Sequence, residues 1–294
     1  MASTMQRVDT SVIESVERIR AADPGNMLDR IKDLGKQVRD AWQIGRRAPL
    51  PPAFGDVRGI TLAGMGGSAI GGRLADLARA ANFPVVTFAY PAQPRAALGY
   101  SLGLVLGCLV RLGFVRDLAG DIDAALADLA TLEERVHEGA RSNDAKRMAI
   151  ELYGRIIVAY GAGVMGVMAR RTKGQWNENA KNWSAFDIMS ELNHNAVVGF
   201  PHPPIARDAL TVLLLRSDRD NPRHKIRFDV TAELLDRAGV PHKTLKFSGQ
   251  NMLSEILQTV MFTDYVSFYL ALLNGADPSE VKSIDYLKDR LAKS

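Results

Sequence analysis

Arg155-Ile156-Ile157-Val158-Ala159-Tyr160-Gly161-Ala162-Gly163-Val164-Met165-Gly166 is the stretch that decides the fold. Its first six residues form a short apolar run rich in β-branched side chains, which reads as a buried parallel strand. The glycines that follow form a turn that opens a helix. The same unit occurs earlier in the chain. Gly59-Ile60-Thr61-Leu62-Ala63 runs into Gly64-Met65-Gly66-Gly67-Ser68, and the two turns start 97 residues apart, at Gly64 and Gly161. That spacing points to two similar α/β halves. In the first half a helix is expected to about Ala81, then a strand over 84–90, an apolar helix after Arg95 and an acidic amphipathic helix over about 122–138. In the second half strands are expected at 210–215 and 243–247, with helices at 229–238 and 253–273. A last helix is expected over 278–292, with Pro278 in its first turn. Before all of these, residues 12–46 read as two helices broken at Asp23-Pro24-Gly25. Strands that alternate with helices predict parallel sheets, right-handed crossovers and an α/β fold class. The expected division is 1–118, the N-terminal helices with a first α/β domain, and 119–294, a second α/β domain with the C-terminal helices.

The chain has 294 residues, 47% of them hydrophobic and 24% charged, which excludes intrinsic disorder. Thirty-seven Lys and Arg against 33 Asp and Glu leave a net charge of +4. This small surplus suits an anionic small molecule and argues against nucleic acid, which calls for clustered charge. One cysteine, Cys108, excludes an internal disulfide framework and fits a reducing compartment. The first residues show no basic segment leading into an apolar one. The uncharged stretch 96–110 is shorter than the roughly 20 residues of a membrane span and reads as a buried core helix. The expected location is the cytoplasm, with no membrane partner.

Both glycine turns place free backbone N–H groups at a helix start, a natural place for an anion. The spacing Gly64-x-Gly66-x-x-Ala69 and Gly161-x-Gly163-x-x-Gly166 does not by itself separate a dinucleotide from a sugar phosphate. A dinucleotide fold also wants an acidic residue at the end of the second strand, and after Tyr90 the next one is Asp117. Glycines there also permit plain close packing of helix on strand, and Ser68 is equally a helix cap.

Polar residues crowd between apolar runs at Gly174-Gln175-Trp176-Asn177-Glu178-Asn179-Ala180-Lys181 and Glu191-Leu192-Asn193-His194-Asn195. A carboxylate next to buried helix is costly unless hydrogen-bonded or functional. Glu178, with His194 sixteen residues on, makes a candidate general acid/base pair. A surface salt bridge for Glu178 and a solvent-facing His194 remain open at this point. The five histidines show no close metal-ligand spacing.

With Pro94-Arg95-Ala96-Ala97-Leu98-Gly99-Tyr100 and the ending Ile284-Asp285-Tyr286-Leu287-Lys288, the ordered motifs resemble the bifunctional phosphoglucose/phosphomannose isomerases. These are a branch of the sugar isomerase (SIS) domain proteins, and the resemblance runs from about Met27 to Lys293. It implies two SIS-type doubly wound domains, a site between them, usually a homodimer, and no metal or organic cofactor. It also implies interconversion of glucose 6-phosphate or mannose 6-phosphate with fructose 6-phosphate. By resemblance, Glu178 is the base that moves a proton between C1 and C2, and Arg95 stabilises the enediolate. His194, from the neighbouring subunit, and Lys288 serve ring opening. Gly66, Gly67 and Ser68 contact the sugar phosphate.

This sequence departs from the family in one place. The family's Ser-x-Ser-Gly-Asn/Asp-Thr loop, which grips the phosphate after the first glycine turn, has no counterpart here. Ser248-Gly249-Gln250-Asn251 echoes it in the second half only. The chain reads as an in-frame shortening of the first SIS domain. A second reading is therefore a sugar-phosphate-binding protein with impaired or no catalysis.

Overall fold

The computed structural model describes residues 8–50, 73–86, 88, 90 and 92–293, with no description of the side chains of 73 and 74. The chain divides into two compact units, Met1–Leu28 with Ala127–Ser294, and Asp29–Leu126.

The N-terminal region carries a 3-10 turn, Ser11–Ile13, then α1 (Val16–Ala21), α2 (Met27–Lys32) and α3 (Leu34–Arg46). Ser15 caps α1, its side chain accepting from the Arg18 N–H. The expected break is present: Asn26 has φ 54, and the Asp23 carboxylate accepts from the N–H groups of Met27 and Leu28, both at 2.9 Å. Helix α4 (Arg73–Ala80) follows, then the 3-10 turn Pro94–Ala96, α5 (Leu98–Arg111) and α6 (Ala119–Val136).

In the unit Asp29–Leu126 the central feature is the α3–α5 pair. One face of α5 is a row of buried glycines, Gly99, Gly103 and Gly107. A Cβ at Gly103 would lie 2.4 Å from the Val38 carbonyl oxygen, so only glycine lets the helices approach so closely. The expectation of a buried core helix at 96–110 needs correcting. Burial follows the glycines, and the large apolar side chains between them are half-buried. The described residues of 84–90 also carry no strand, contrary to expectation. An extended segment becomes a strand only by pairing, and the expected partner at 59–63 lies outside the described residues.

The other unit is α/β. After α7 (Asp144–Leu152) come β1 (Ile156–Ala162), α8 (Gly163–Glu178), β2 (Ser184–Met189), a 3-10 turn Glu191–Asn193, and the short helices α9 (Ala196–Gly199) and α10 (Ala206–Ala209). Then come β3 (Leu210–Ser217), α11 (Pro222–Ala238), β4 (His242–Phe247), α12 (Met252–Leu273) and α13 (Lys282–Leu291). All pairings are parallel and the order is β2-β1-β3-β4, so the chain reverses direction across the sheet between β1 and β3. Tyr160, Val212 and Leu214 pack with Phe228 and Leu235 of α11 on one face. The alternate residues, Ile157, Ala159, Leu213 and Leu215, are buried on the other face. Helix α12 is buried nearly all round, as expected of an apolar helix within a core.

Four elements, α7, β2 and the short helices α9 and α10, were not expected from the sequence. β2 is an edge strand, and Asp187 interrupts its apolar run, which an edge position tolerates. The last helix begins at Lys282, not at Pro278. Pro278 sits in a tight turn where Ser279 N–H donates to Asp277 Oδ1 at 2.7 Å.

Candidate functional site

The geometry around Glu178 starts at the end of β1. A Cβ on Gly161 would fall 2.1 Å from the Met165 carbonyl oxygen, and Gly163 takes φ +52, so the strand turns straight into α8. Sixteen residues of helix carry the chain roughly 24 Å back across the sheet. Glu178, the last residue of α8, therefore stands half-buried at the edge where the strands begin. The Ile157 N–H donates to the Trp183 carbonyl at 3.3 Å, which fixes the start of β2 beside the start of β1.

The four neighbours of Glu178 in Asn177-Glu178-Asn179-Ala180-Lys181 fix this turn. Asn177 Oδ1 accepts from the Ser184 N–H at 2.9 Å, tying the helix end to the first residue of β2. Asn179 Nδ2 donates to Ser267 Oγ of α12 at 3.0 Å, with both residues fully buried. The Ala180 carbonyl accepts from Asn274 Nδ2 at 2.9 Å. Lys181, at φ +51, donates from Nζ to the carbonyls of Glu178 (2.9 Å), Asn179 (3.3 Å) and Asp277 (2.5 Å). Its cation covers the free carbonyls of a helix C-terminus, where positive charge is favoured. Farther up α8, Arg171 and Asp264 form a bidentate pair at 2.5 and 2.8 Å, and Trp176 Nε1 donates to the Thr263 carbonyl at 2.9 Å. The helix carrying Glu178 is thus bound to α12 by polar contacts along its length.

His194 lies at the opposite edge. β2 runs parallel to β1 for six residues, roughly 20 Å, and His194 follows the 3-10 turn beyond it. Its N–H donates to the Glu191 carbonyl at 2.8 Å, and its side chain is exposed. Asn193 Nδ2 on the same turn donates to Thr231 Oγ1 of α11 at 2.8 Å. In one chain, then, Glu178 and His194 flank the β1–β2 pair at its two ends. Lys288 stands on the exposed helix α13, with its Nζ 3.8 Å from Asp285, a surface contact of little energetic weight.

Arg95 belongs to the other unit. It sits half-buried in the 3-10 turn Pro94–Ala96, whose fixed φ at Pro94 suits a helical start. Gln37 Nε2 of α3 donates to the Ala96 carbonyl at 2.9 Å and to the Tyr90 hydroxyl at 3.1 Å. Tyr100 packs between Phe88, stacked at 4.9 Å, and Tyr90, tilted at 5.2 Å. Burial raises the Tyr90 phenol pKa, which keeps it a neutral partner for Gln37. These supports were not read from the sequence, because Gln37 lies 53 residues from Tyr90. Gly66, Gly67 and Ser68 lie outside the described residues. Among the described residues no group of three or more His, Cys, Asp or Glu could hold a metal ion.

The parallel sheet and its direction reversal between β1 and β3 define a doubly wound α/β unit, and comparison with known proteins shows which. Residues 141–291, which hold Glu178, His194 and Lys288, match the family of bacterial phospho-glucose isomerase C-terminal SIS domains. A glucose-6-phosphate isomerase like protein from Thermus thermophilus shares the fold at TM-score 0.56 and 21% identity, over 67% of this chain and 65% of that one. A bifunctional phosphoglucose/phosphomannose isomerase of Caldicellulosiruptor bescii is 35% identical over 226 residues, 76% of this chain and 67% of the relative. One from Aquifex aeolicus is 36% identical over 201 residues, 68% of this chain and 59% of the relative. The chain spans about three fifths to two thirds of the length of these relatives. It belongs to the bifunctional phosphoglucose/phosphomannose isomerase family.

Proposed function

We propose that the chain interconverts glucose 6-phosphate and mannose 6-phosphate with fructose 6-phosphate. The observation that carries this is the family membership of the segment 141–291, in which Glu178 occupies a turn fixed by four neighbours. In this reading Glu178 takes the proton from C2 of the open aldose and returns it to C1 of the cis-enediol. The reverse transfer to C2 gives one epimer or the other according to which face the enediol, turned about its C2–C3 bond, presents to the same carboxylate. A carboxylate at the end of an anchored helix suits a group that accepts and returns one proton without moving. Arg95 offers a permanent cation for the enediolate oxygen. His194 and Lys288 assist ring opening, and Gly66, Gly67 and Ser68 contact the phosphorylated sugar.

One chain places Glu178 and His194 roughly 20 Å apart across the sheet, which supports a homodimer in which the partner subunit supplies the histidine. No metal, nucleic acid or membrane enters this reading, and the proposed location is the cytoplasm. The named relatives are enzymes, which favours the isomerase over a non-catalytic sugar-phosphate binder.

A coupled assay that follows glucose 6-phosphate formed from fructose 6-phosphate tests the reading. The wild type is expected to turn over, and Glu178→Gln to lose about 10²- to 10⁴-fold, the usual worth of a general base. Wild-type turnover in the variant would remove Glu178 from the role, and an inactive wild type would leave the binder reading.

A further inference from the structure

We infer that Ser267 and Asn274, at the far end of α12, are positioning residues for Glu178. The inference rests on the isomerase reading above and adds to it two residues remote in sequence from the base.

Glu178 is the last residue of a helix, where ends ordinarily fray. The backbone that carries its carboxylate is held by the turn that follows. Two of the holding contacts come from α12 and the residue that caps it. Ser267 Oγ accepts from Asn179 Nδ2 at 3.0 Å while donating to the Asp264 carbonyl at 2.7 Å. The hydroxyl is thus oriented by its own helix and presents its lone pair to the amide. Seven residues on, Asn274 Nδ2 donates to the Ala180 carbonyl at 2.9 Å. The two contacts reach the residues immediately after Glu178 from buried Ser267 of α12 and from Asn274, the residue that caps that helix. Asn179 is fully buried, so loss of the Ser267 oxygen removes an acceptor that water cannot replace, and the turn is expected to shift. A displacement of about 1 Å at a reacting group can cost on the order of 10²-fold in rate.

The alternative is that both residues only stabilise the fold. A stabilising role lowers the fraction folded and leaves kcat per folded chain alone, whereas a positioning role lowers kcat and spares KM. Ser267→Ala is expected to lower kcat about 10-fold with KM within about two-fold of wild type. Ser267→Thr, which keeps the hydroxyl, is expected to restore most of the loss. Asn274→Ala, on an exposed helix end that tolerates substitution, is expected to lower kcat about three-fold. In the Glu178→Gln background neither change should lower activity further, because the group they position is gone.

Unchanged kcat in both Ser267→Ala and Asn274→Ala, with Glu178→Gln inactive, would overturn the positioning role and leave the isomerase reading standing. If Ser267→Ala does not fold, unchanged kcat in Asn274→Ala alone overturns it. Full activity in Glu178→Gln, or an inactive wild type, would overturn the underlying reading and this inference with it.

Discussion

In the unit Asp29–Leu126, Gly103 lets the Val38 carbonyl approach to where a Cβ would sit, and two helices lock side by side. In the α/β unit, Gly161 and Gly163 instead let a strand turn at once into a helix. The first use of glycine yields close contact between backbones and leaves the large side chains of α5 half-buried. The second yields a long helix whose other end must be placed, and the chain places it with polar bonds to α12. The two units accordingly resist different insults. The helix pair is sensitive to volume, and the α8–α12 contact to loss of a hydrogen-bonding partner.

The largest expected effect breaks the polar side of this comparison. Asp264→Ala leaves Arg171 largely buried without its carboxylate and is expected to destabilise the α/β unit by about 3–5 kcal/mol, read by denaturant unfolding. A loss under about 1 kcal/mol would mean that the pair is no more than a surface ion pair.

Gly103→Val tests the other side. A branched side chain against the Val38 carbonyl is expected to cost about 1–3 kcal/mol or to force α3 and α5 apart. Circular dichroism melting should show the loss. Wild-type stability would show that the helices do not depend on the close approach.

A pH titration sharpens the comparison with the smallest and most gradual effect. Burial in the α/β core pushes Tyr160 up to about 12 from 10.0, with the Asp187 charge acting in the same direction. Burial likewise raises Tyr265 and Tyr269 of the same unit. As pH climbs past about 10 the unfolded chain gives up these protons first. It then holds fewer protons than the folded chain, so stability falls with pH. The contribution is complete below pH 10 and fades as pH rises towards 12 and beyond. Denaturant midpoints measured at pH 9 and pH 11 should differ in that direction, and equal midpoints would contradict the burial.

Much of the α/β unit was legible in the sequence because its signals are local. The run Ile156–Tyr160 followed by glycines marks β1 and α8 without knowledge of the rest of the chain. β2 was not legible, since an edge strand with Asp187 in it lacks an unbroken apolar run. The helix α5 misled by composition: fourteen mostly apolar residues suggest burial all round, but close approach is possible only along the glycine row. Glu178 and His194 stood out as polar residues between apolar runs, and their roles came from the resemblance. Their supports did not stand out. Ser267 lies 88 residues from Asn179 and Asn274 lies 94 from Ala180, and nothing local in a serine or an asparagine announces such a partner.

The most direct test of the central claim, that Glu178 in this chain moves a proton between two carbons of a hexose phosphate, is real-time NMR of fructose 6-phosphate with the wild type and Glu178→Gln side by side. Signals of glucose 6-phosphate and mannose 6-phosphate should grow with the wild type and stay absent with the variant over the same period. Equal conversion by both, or none by the wild type, would contradict it.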